Sequence, residues 1–289
     1  MSDVGRVRRA NEDACRVEPE IGLFVVSDGM GGHAGGRLAS TIVTEDLPVM
    51  IENKLHTLRA AAPRAVRRVF KATVAEQSRQ LRLEALGGEH CYTEMGATVI
   101  VLLIKDARAY IANLGDSRIY RLRNGKLRQL TRDHSVVSEL LETGAIDLHE
   151  AADHEAQGQI TRYLGMDHKA AVPHVKTFAL RKADRLLLCT DGLTDMLGDR
   201  AVRDILMSVD RPDEACRDLI DAANAAGGHD NITAVVIDYT RADPRVAANR
   251  TCVSSPPRPQ PTKQSPPPAP AQAAAPADPP PPAPPSGSH

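Results

Sequence analysis

Apolar residues along this chain fall into short continuous runs, and several of the runs end on an acid beside a glycine or serine. Leu23-Phe24-Val25-Val26 leads into Ser27-Asp28-Gly29, Ile111-Ala112-Asn113-Leu114 into Gly115-Asp116-Ser117, and Leu186-Leu187-Leu188-Cys189 into Thr190-Asp191-Gly192. Runs of this length bounded by turn residues predict buried strands. Asp230 reverses the order and stands just before a strand predicted over residues 232–239. Further strands are predicted over 96–104, 107–114, 117–122, 126–130, 172–180 and 185–189, with Asn124-Gly125 as a hairpin turn. Residues 96–130 together read as a β-meander. At the start, 2–7 and 14–17 flank the polar turn 8–13 and predict another hairpin. A strand opening at Ser2 has almost nothing before it, which raises the expectation of further residues upstream.

Helical spacing appears over 36–52 and 59–86, where Val66, Val69, Phe70, Val74 and Leu81 recur with charges between them. It returns over 201–209 and 212–225, with a short patch at 136–142. The mixed, polar stretch 131–165, which carries His134, His149 and His154, reads as a surface flap. Strands come in runs rather than alternating with helices. That order disfavours a parallel doubly wound sheet and predicts an α+β chain of mostly antiparallel sheets with helices packed outside.

Composition narrows the class. At 289 residues and 42% hydrophobic content the chain can bury a substantial core. Acids and bases nearly balance, 37 against 36, so no overall field points to nucleic acid or to an anionic membrane. The five cysteines, Cys15, Cys91, Cys189, Cys216 and Cys252, are odd in number and contain no C-x-x-C pair, which argues against a disulfide framework and a zinc knuckle. No apolar segment approaches the roughly 20 residues needed to cross a bilayer, and the charged N-terminus lacks the apolar centre of a signal peptide. A cytoplasmic location is the expectation. Past about residue 240 the composition turns to Pro, Ala, Ser and Gln. Residues 1–240 are read as the folded domain, and 241–289 as a Pro/Ala-rich tail that cannot bury enough apolar surface to order itself.

A single Asp-Gly is ordinarily a turn. Three acids ending strands and a fourth beginning one form a different pattern, because antiparallel neighbours can bring those ends to one edge of a sheet. Asp28, Asp116, Asp191 and Asp230 gathered there would repel unless hard cations sat among them. Other readings fit less well. The Gly29-x-Gly31-x-x-Ala34 spacing has the form of a dinucleotide fingerprint, but Asp28 would repel the pyrophosphate and the strands do not alternate with helices. A haloacid-dehalogenase nucleophile needs an acid two residues on, and neither Asp28 nor Asp191 has one; no G-x-x-x-x-G-K-[ST] is present. Arg8-x-x-Asn11-Glu12-Asp13 sets a guanidinium suited to phosphate before carboxylates suited to a metal or its water, and by itself fits an ordinary charged turn as well.

Taken in order, Ser2-Asp3-Val4-Gly5, Val7-Arg8, Asn11-Glu12-Asp13, Ser27-Asp28-Gly29-Met30-Gly31-Gly32, Gly96-Ala97-Thr98, Asn113-Leu114-Gly115-Asp116-Ser117-Arg118, Thr190-Asp191-Gly192-Leu193 and His229-Asp230-Asn231 resemble the PPM/PP2C family of metal-dependent protein phosphatases, bacterial type. The resemblance spans roughly residues 2–239 and implies a four-layer α-β-β-α sandwich, two mostly antiparallel sheets face to face with helices outside. It implies a two-metal Mn²⁺ or Mg²⁺ centre hydrolysing phosphoserine and phosphothreonine by attack of a metal-bridging hydroxide. Asp28 resembles the bridging acid and Gly29 offers its carbonyl. Glu12 looks like a ligand of one metal, Asp191 and Asp230 like ligands of the other. Asp13 resembles the acid that holds metal-bound water, Asp116 with Asp191 the site of a weaker third ion, and Arg8 the phosphate clamp.

Animal members place a histidine directly after the Asp-Gly, where this chain has Met30, so His33 is the candidate proton donor; a solvated loop or helix-start histidine fits it equally. His229 and Asn231 suit either the orientation of Asp230 or a simple turn. His134 and Arg162, in the flap, are expected to shape access. Cys189 is expected to be buried and inert. The P-x-x-P spacing at 256–259 suits a polyproline-binding partner, and a plain linker is the simpler reading. Expected partners are phosphorylated Ser/Thr proteins and an opposing kinase, with no nucleic acid, no membrane and a monomeric chain. The alternative function is a non-catalytic phosphoprotein-binding scaffold whose Pro-rich tail recruits partners.

Overall fold

The structure, a computed structural model, describes residues 1–31, 34–57, 62–87, 95–152, 154–166 and 171–240. The tail expected over 241–289 lies outside them, as do His33, Cys91 and Cys252. All the elements below belong to the compact unit Met1–Ser254.

Two sheets form, with every pairing antiparallel. One has the order β1 (Ser2–Asp3), β11 (Ile232–Tyr239), β10 (Asp184–Cys189), β7 (Arg118–Arg123), β8 (Lys126–Gln129). The other runs β2 (Asp13–Glu18), β3 (Leu23–Met30), β5 (Val99–Lys105), β6 (Arg108–Leu114), β9 (His174–Ala179), with the two-residue β4 (Gly96–Ala97) also on β3. Helices α1 (Ala34–His56) and α2 (Pro63–Gly87) cover the second sheet; α6 (Asp199–Ser208) and α7 (Pro212–Ala225) cover the first. Short helices α3 (Val136–Thr143), α4 (Leu148–Ala152) and α5 (Asp191–Thr194) complete the set.

The continuous apolar runs follow from this layering. Along β5, Val99, Val101 and Leu103 pack toward α1 and α2, while Ile100 and Leu102 pack between the sheets. Along β11, Ala234 and Val236 face α7, and Val235 and Ile237 face the other sheet. With both faces buried the alternation of polar and apolar positions vanishes, and each fully buried Leu, Ile or Val contributes about 1.5–3 kcal/mol relative to exposure. Local signals set the ends. Pro212 opens α7 with Asp213 and Glu214 in its first turn. Ser135 caps α3, accepting a bond from Ser138 N, and Gly144 at φ 71° ends it.

Two expectations fail. The opening hairpin does not form: β1 is two residues long and pairs with β11, while β2 pairs with β3. Gly5, at φ 80°, turns the chain away, and Arg6 N donates to Gly228 O at 2.7 Å. The meander over 96–130 is divided, with β5 and β6 in one sheet and β7 and β8 in the other. The crossing occurs at Gly115, φ 112°, beside Asp116. The Asn124-Gly125 turn forms as expected, both residues having positive φ of 50° and 70°.

Candidate metal centre

Antiparallel pairing brings the acids to one edge. Asp13, first in β2, lies opposite Asp28 near the end of β3. Cys189, last in β10, pairs with Ala234 near the start of β11, so Asp191 and Asp230 are neighbours. Val99, first in β5, pairs with Leu114, last in β6, which leaves Asp116 beside them. Thr98 binds this corner together: its Oγ1 accepts from Asp28 N at 3.0 Å and shares a 2.8 Å hydrogen bond with Ser117 Oγ, and its N–H donates to Asp28 O at 2.8 Å.

Asp13 joins the two sheets. Its Oδ2 accepts from Thr190 Oγ1 at 2.9 Å and from Thr233 Oγ1 at 2.7 Å. Burial nevertheless pushes its carboxyl up to about 7, against the pull of those two hydroxyls and with the help of Asp191 and Asp230. Asp28 is held well above the ordinary carboxylate range by burial, then by the charges of Asp13, Asp191, Asp116 and Asp230. Asp116 is raised by burial and then by Asp191, and Asp191 by burial and then by Asp230. The repulsion anticipated among these acids is thus present.

Glu12 is buried against the start of α1. Gly29 and Gly36 make that approach: a Cβ on Gly29 would stand 2.0 Å from Gly36 O, and one on Gly36 would stand 2.0 Å from Glu12 Oε2. The bare backbone of α1's first turn therefore meets the Glu12 carboxylate, where the helix dipole favours negative charge. Arg8 Nη2 donates to Asp230 Oδ2 at 2.7 Å, so its exposed guanidinium stands at the rim of the cluster.

Among the described residues no three His, Cys, Asp or Glu side chains close around one point as a ready cage. The single meeting point expected from sequence is instead a chain of neighbouring acids, in which Asp13 is held by two threonines and Asp230 by Arg8. A divalent cation still suits the donors. One carboxylate oxygen each of Asp13, Asp116 and Asp191 is buried without any hydrogen-bond partner. Buried anionic oxygens left unsatisfied are costly, and hard oxygen donors match Mn²⁺ or Mg²⁺.

Three residues were not singled out as supports from the sequence. Thr190 and Thr233 hold Asp13, and the second also accepts or donates in a 2.7 Å bond with Ser2 Oγ. The available signal was a threonine beside an apolar run, Thr190 just after β10 and Thr233 near the start of β11. Asn231, left open between orientation and turn, is buried and ties down the segment that carries Arg8 and Glu12. Its Oδ1 accepts from Glu12 N at 2.8 Å, and its Nδ2 donates to Val4 O and Ala10 O, both at 3.0 Å.

The flap is not wholly superficial. His134 is buried, its Nδ1 accepts from Gly115 N at 3.1 Å, and its own N–H donates to Gly115 O at 3.0 Å. Burial, then Arg162, His174 and Arg132, push the imidazole down to about 4. Its position fastens the turn before Asp116. Cys189 is buried, with its thiol raised to about 12 chiefly by that burial, which leaves it inert.

A family model described as Protein phosphatase 2C matches residues 6–231. The chain is 35% identical to the serine/threonine phosphatase stp of Listeria welshimeri over 242 residues, 82% of this chain and 93% of the relative. Among solved structures it is similar to the Mycobacterium tuberculosis serine/threonine phosphatase PstP/Ppp, with a TM-score of 0.70 and 32% identity over 82% of this chain and 94% of that one. It is likewise similar to a catalytic domain of PstP solved in complex with 2 manganese ions, with a TM-score of 0.65, 31% identity, and coverage of 82% of this chain and 94% of that one.

Proposed function

The chain belongs to the protein phosphatase 2C family, bacterial type, and on that premise we propose how its residues divide the work of removing phosphate from phosphoserine and phosphothreonine in proteins. It is a metal-dependent protein-serine/threonine phosphatase using Mn²⁺ or Mg²⁺. A non-catalytic scaffold is not favoured, since the relatives it matches are named as phosphatases.

Glu12, Asp28, Asp191 and Asp230, with the Gly29 carbonyl, would hold two divalent ions, and Asp116 with Asp191 would hold a third. Cations held there would lower the pKa of site water enough for it to attack phosphorus near neutral pH. Asp13, fixed by Thr190 and Thr233, takes hydrogen bonds from water in the site and keeps it oriented. Arg8 releases Asp230 Oδ2 in part and turns its guanidinium to the phosphoryl oxygens, neutralising charge that grows in the transition state. His33 is the proposed donor to the leaving alkoxide. Residues 1–240 form the phosphatase domain and 241–289 the tail.

The observation that carries this reading is the set of buried, unpartnered oxygens on Asp13, Asp116 and Asp191 within one cluster of mutually repelling acids. Hydrolysis of a phosphothreonine peptide by chelator-treated protein, with and without Mn²⁺, tests it. The proposed substrates include the targets of an opposing kinase, and the proposed working form is a cytoplasmic monomer.

A further inference from the structure

The outermost strands β8 and β9 lie on the same side of their respective sheets, and Lys176 Nζ on β9 donates to Leu130 O just past β8, at 3.0 Å. That side is cationic. Arg128 on β8, Arg132 beyond it, Lys176 on β9, and Arg67 and Lys71 on α2, which packs on β9, are all exposed. Among the described residues only Arg132 of these pairs with a carboxylate, that of Glu142. The charges are close enough to be felt together: after burial, Lys176, Arg132, Arg67 and Lys71 are the causes that hold the half-buried His174 imidazole toward its neutral form. Arg128 and Arg132 act on Lys176 in the same way.

This face adjoins the metal centre. His174 pairs with Asn113 across β9 and β6, and Asn113 Nδ2 donates to Arg132 O at 2.7 Å. Asn113 stands three residues before Asp116 in the turn that crosses between the sheets. Edge strands often carry Lys and Arg to discourage pairing with other chains. That explains Arg128 and Lys176, but not the cations on the neighbouring helix or beside the centre. In a chain of net charge −1, a face with this excess of cations is a local feature.

We propose that this face recognises an acidic, Asp/Glu-rich segment flanking the phosphorylated residue of the protein substrate. The inference rests on the phosphatase reading above and adds its substrate preference. The cations come singly from β8, from β9 and from the segment after β8, and as a pair one helical turn apart on α2, so they are spread over the face and do not converge on a point. That spacing suits a row of carboxylates in an extended segment rather than one further phosphate.

The test compares phosphothreonine peptides of equal length with acidic, neutral or doubly phosphorylated flanks, using wild type, Arg67→Glu/Lys71→Glu/Arg128→Glu, and the charge-keeping Arg67→Lys/Arg128→Lys. Wild type and the charge-keeping variant are expected to favour the acidic over the neutral peptide about tenfold in kcat/KM at low salt, and less at 0.5 M salt by roughly the extent of screening. The reversed variant loses the preference while hydrolysing p-nitrophenyl phosphate as wild type does. Anisotropy of a labelled acidic peptide reads the surface without turnover, so loss of activity alone strikes the phosphatase reading and leaves this one judged by binding. Equal rates and equal binding for acidic and neutral peptides overturn the proposal. So does a preference that survives charge reversal, or one shown only by the doubly phosphorylated peptide.

Discussion

Asp13 and Asp28 stand directly opposite each other across β2 and β3, two carboxyls in register at the edge of a buried sheet. Like charges so placed destabilise a strand pair, and the fold tolerates them by keeping both carboxyls well above their ordinary range.

The metal-free protein therefore has a predictable pH dependence. A carboxyl whose folded pKa is raised stabilises the fold below its unfolded value, and that contribution is lost as pH rises through the folded value. For Asp13 the window runs from 3.8 to about 7, and Asp28, Asp116 and Asp191 act in the same direction. His134 acts oppositely, since its pKa is lowered from 6.5 to about 4; its contribution is present above 6.5 and lost as pH falls. Between pH 6.5 and about 7 the change at His134 is largely complete and the acids dominate. The melting temperature of chelated protein is expected to fall over that interval, and Mn²⁺ to remove the fall. Differential scanning fluorimetry at the two pH values checks both.

Asp28→Asn separates stability from function. Removing one negative charge from among Asp13, Asp191, Asp116 and Asp230 is expected to stabilise chelated protein at pH 8 by about 0.5–2 kcal/mol. The same change lowers kcat/KM more than about 100-fold, since a lost metal ligand exceeds the usual cost of disturbing a ligand's support. Denaturant melts with kinetics on the same sample make the comparison.

Arg8→Ala tests the clamp. The Arg8–Asp230 pair is partly exposed, with side-chain exposures of 52% and 35%, so its loss is expected to cost less than about 1 kcal/mol of stability. The variant should lose roughly 10–100-fold in kcat/KM on a phosphopeptide, the worth of charge-assisted bonds to a phosphoryl group. Steady-state kinetics beside a thermal melt checks the contrast.

Asn231→Ala removes the three hydrogen bonds that bind the segment before β2 to the start of β11. At about 1 kcal/mol each, with Glu12 N left unpaired, a loss of roughly 2–4 kcal/mol is expected, together with weaker Mn²⁺ binding by calorimetry. Asn231→Asp keeps the acceptor for Glu12 N and loses the donors to Val4 and Ala10, so it should fall between.

The gathering of the acids was legible because they sit at strand ends. Asp28 and Asp191 follow the end of an apolar run and Asp230 precedes the start of one, and such boundaries show in one dimension. The strand β11 and helix α7 were predicted to the residue, the first from a run rich in β-branched residues, the second from its helical spacing. Partner choice was not legible. Consecutive antiparallel strands look alike whether they share a sheet or cross between two, so the division at Gly115 and the departure of β1 from β2 left no local mark. Support from a distance was equally hidden: Thr233 reaches Asp13 across 220 positions and Asn231 reaches Glu12 across 219.

The most direct measurement is hydrolysis of a phosphothreonine peptide by protein stripped with a chelator and then supplied with Mn²⁺ or Mg²⁺, for wild type and Asp191→Asn. The account predicts no turnover in chelator, recovery on adding either ion to wild type, and none in the variant. Turnover that persists in chelator, or returns equally in the variant, contradicts it.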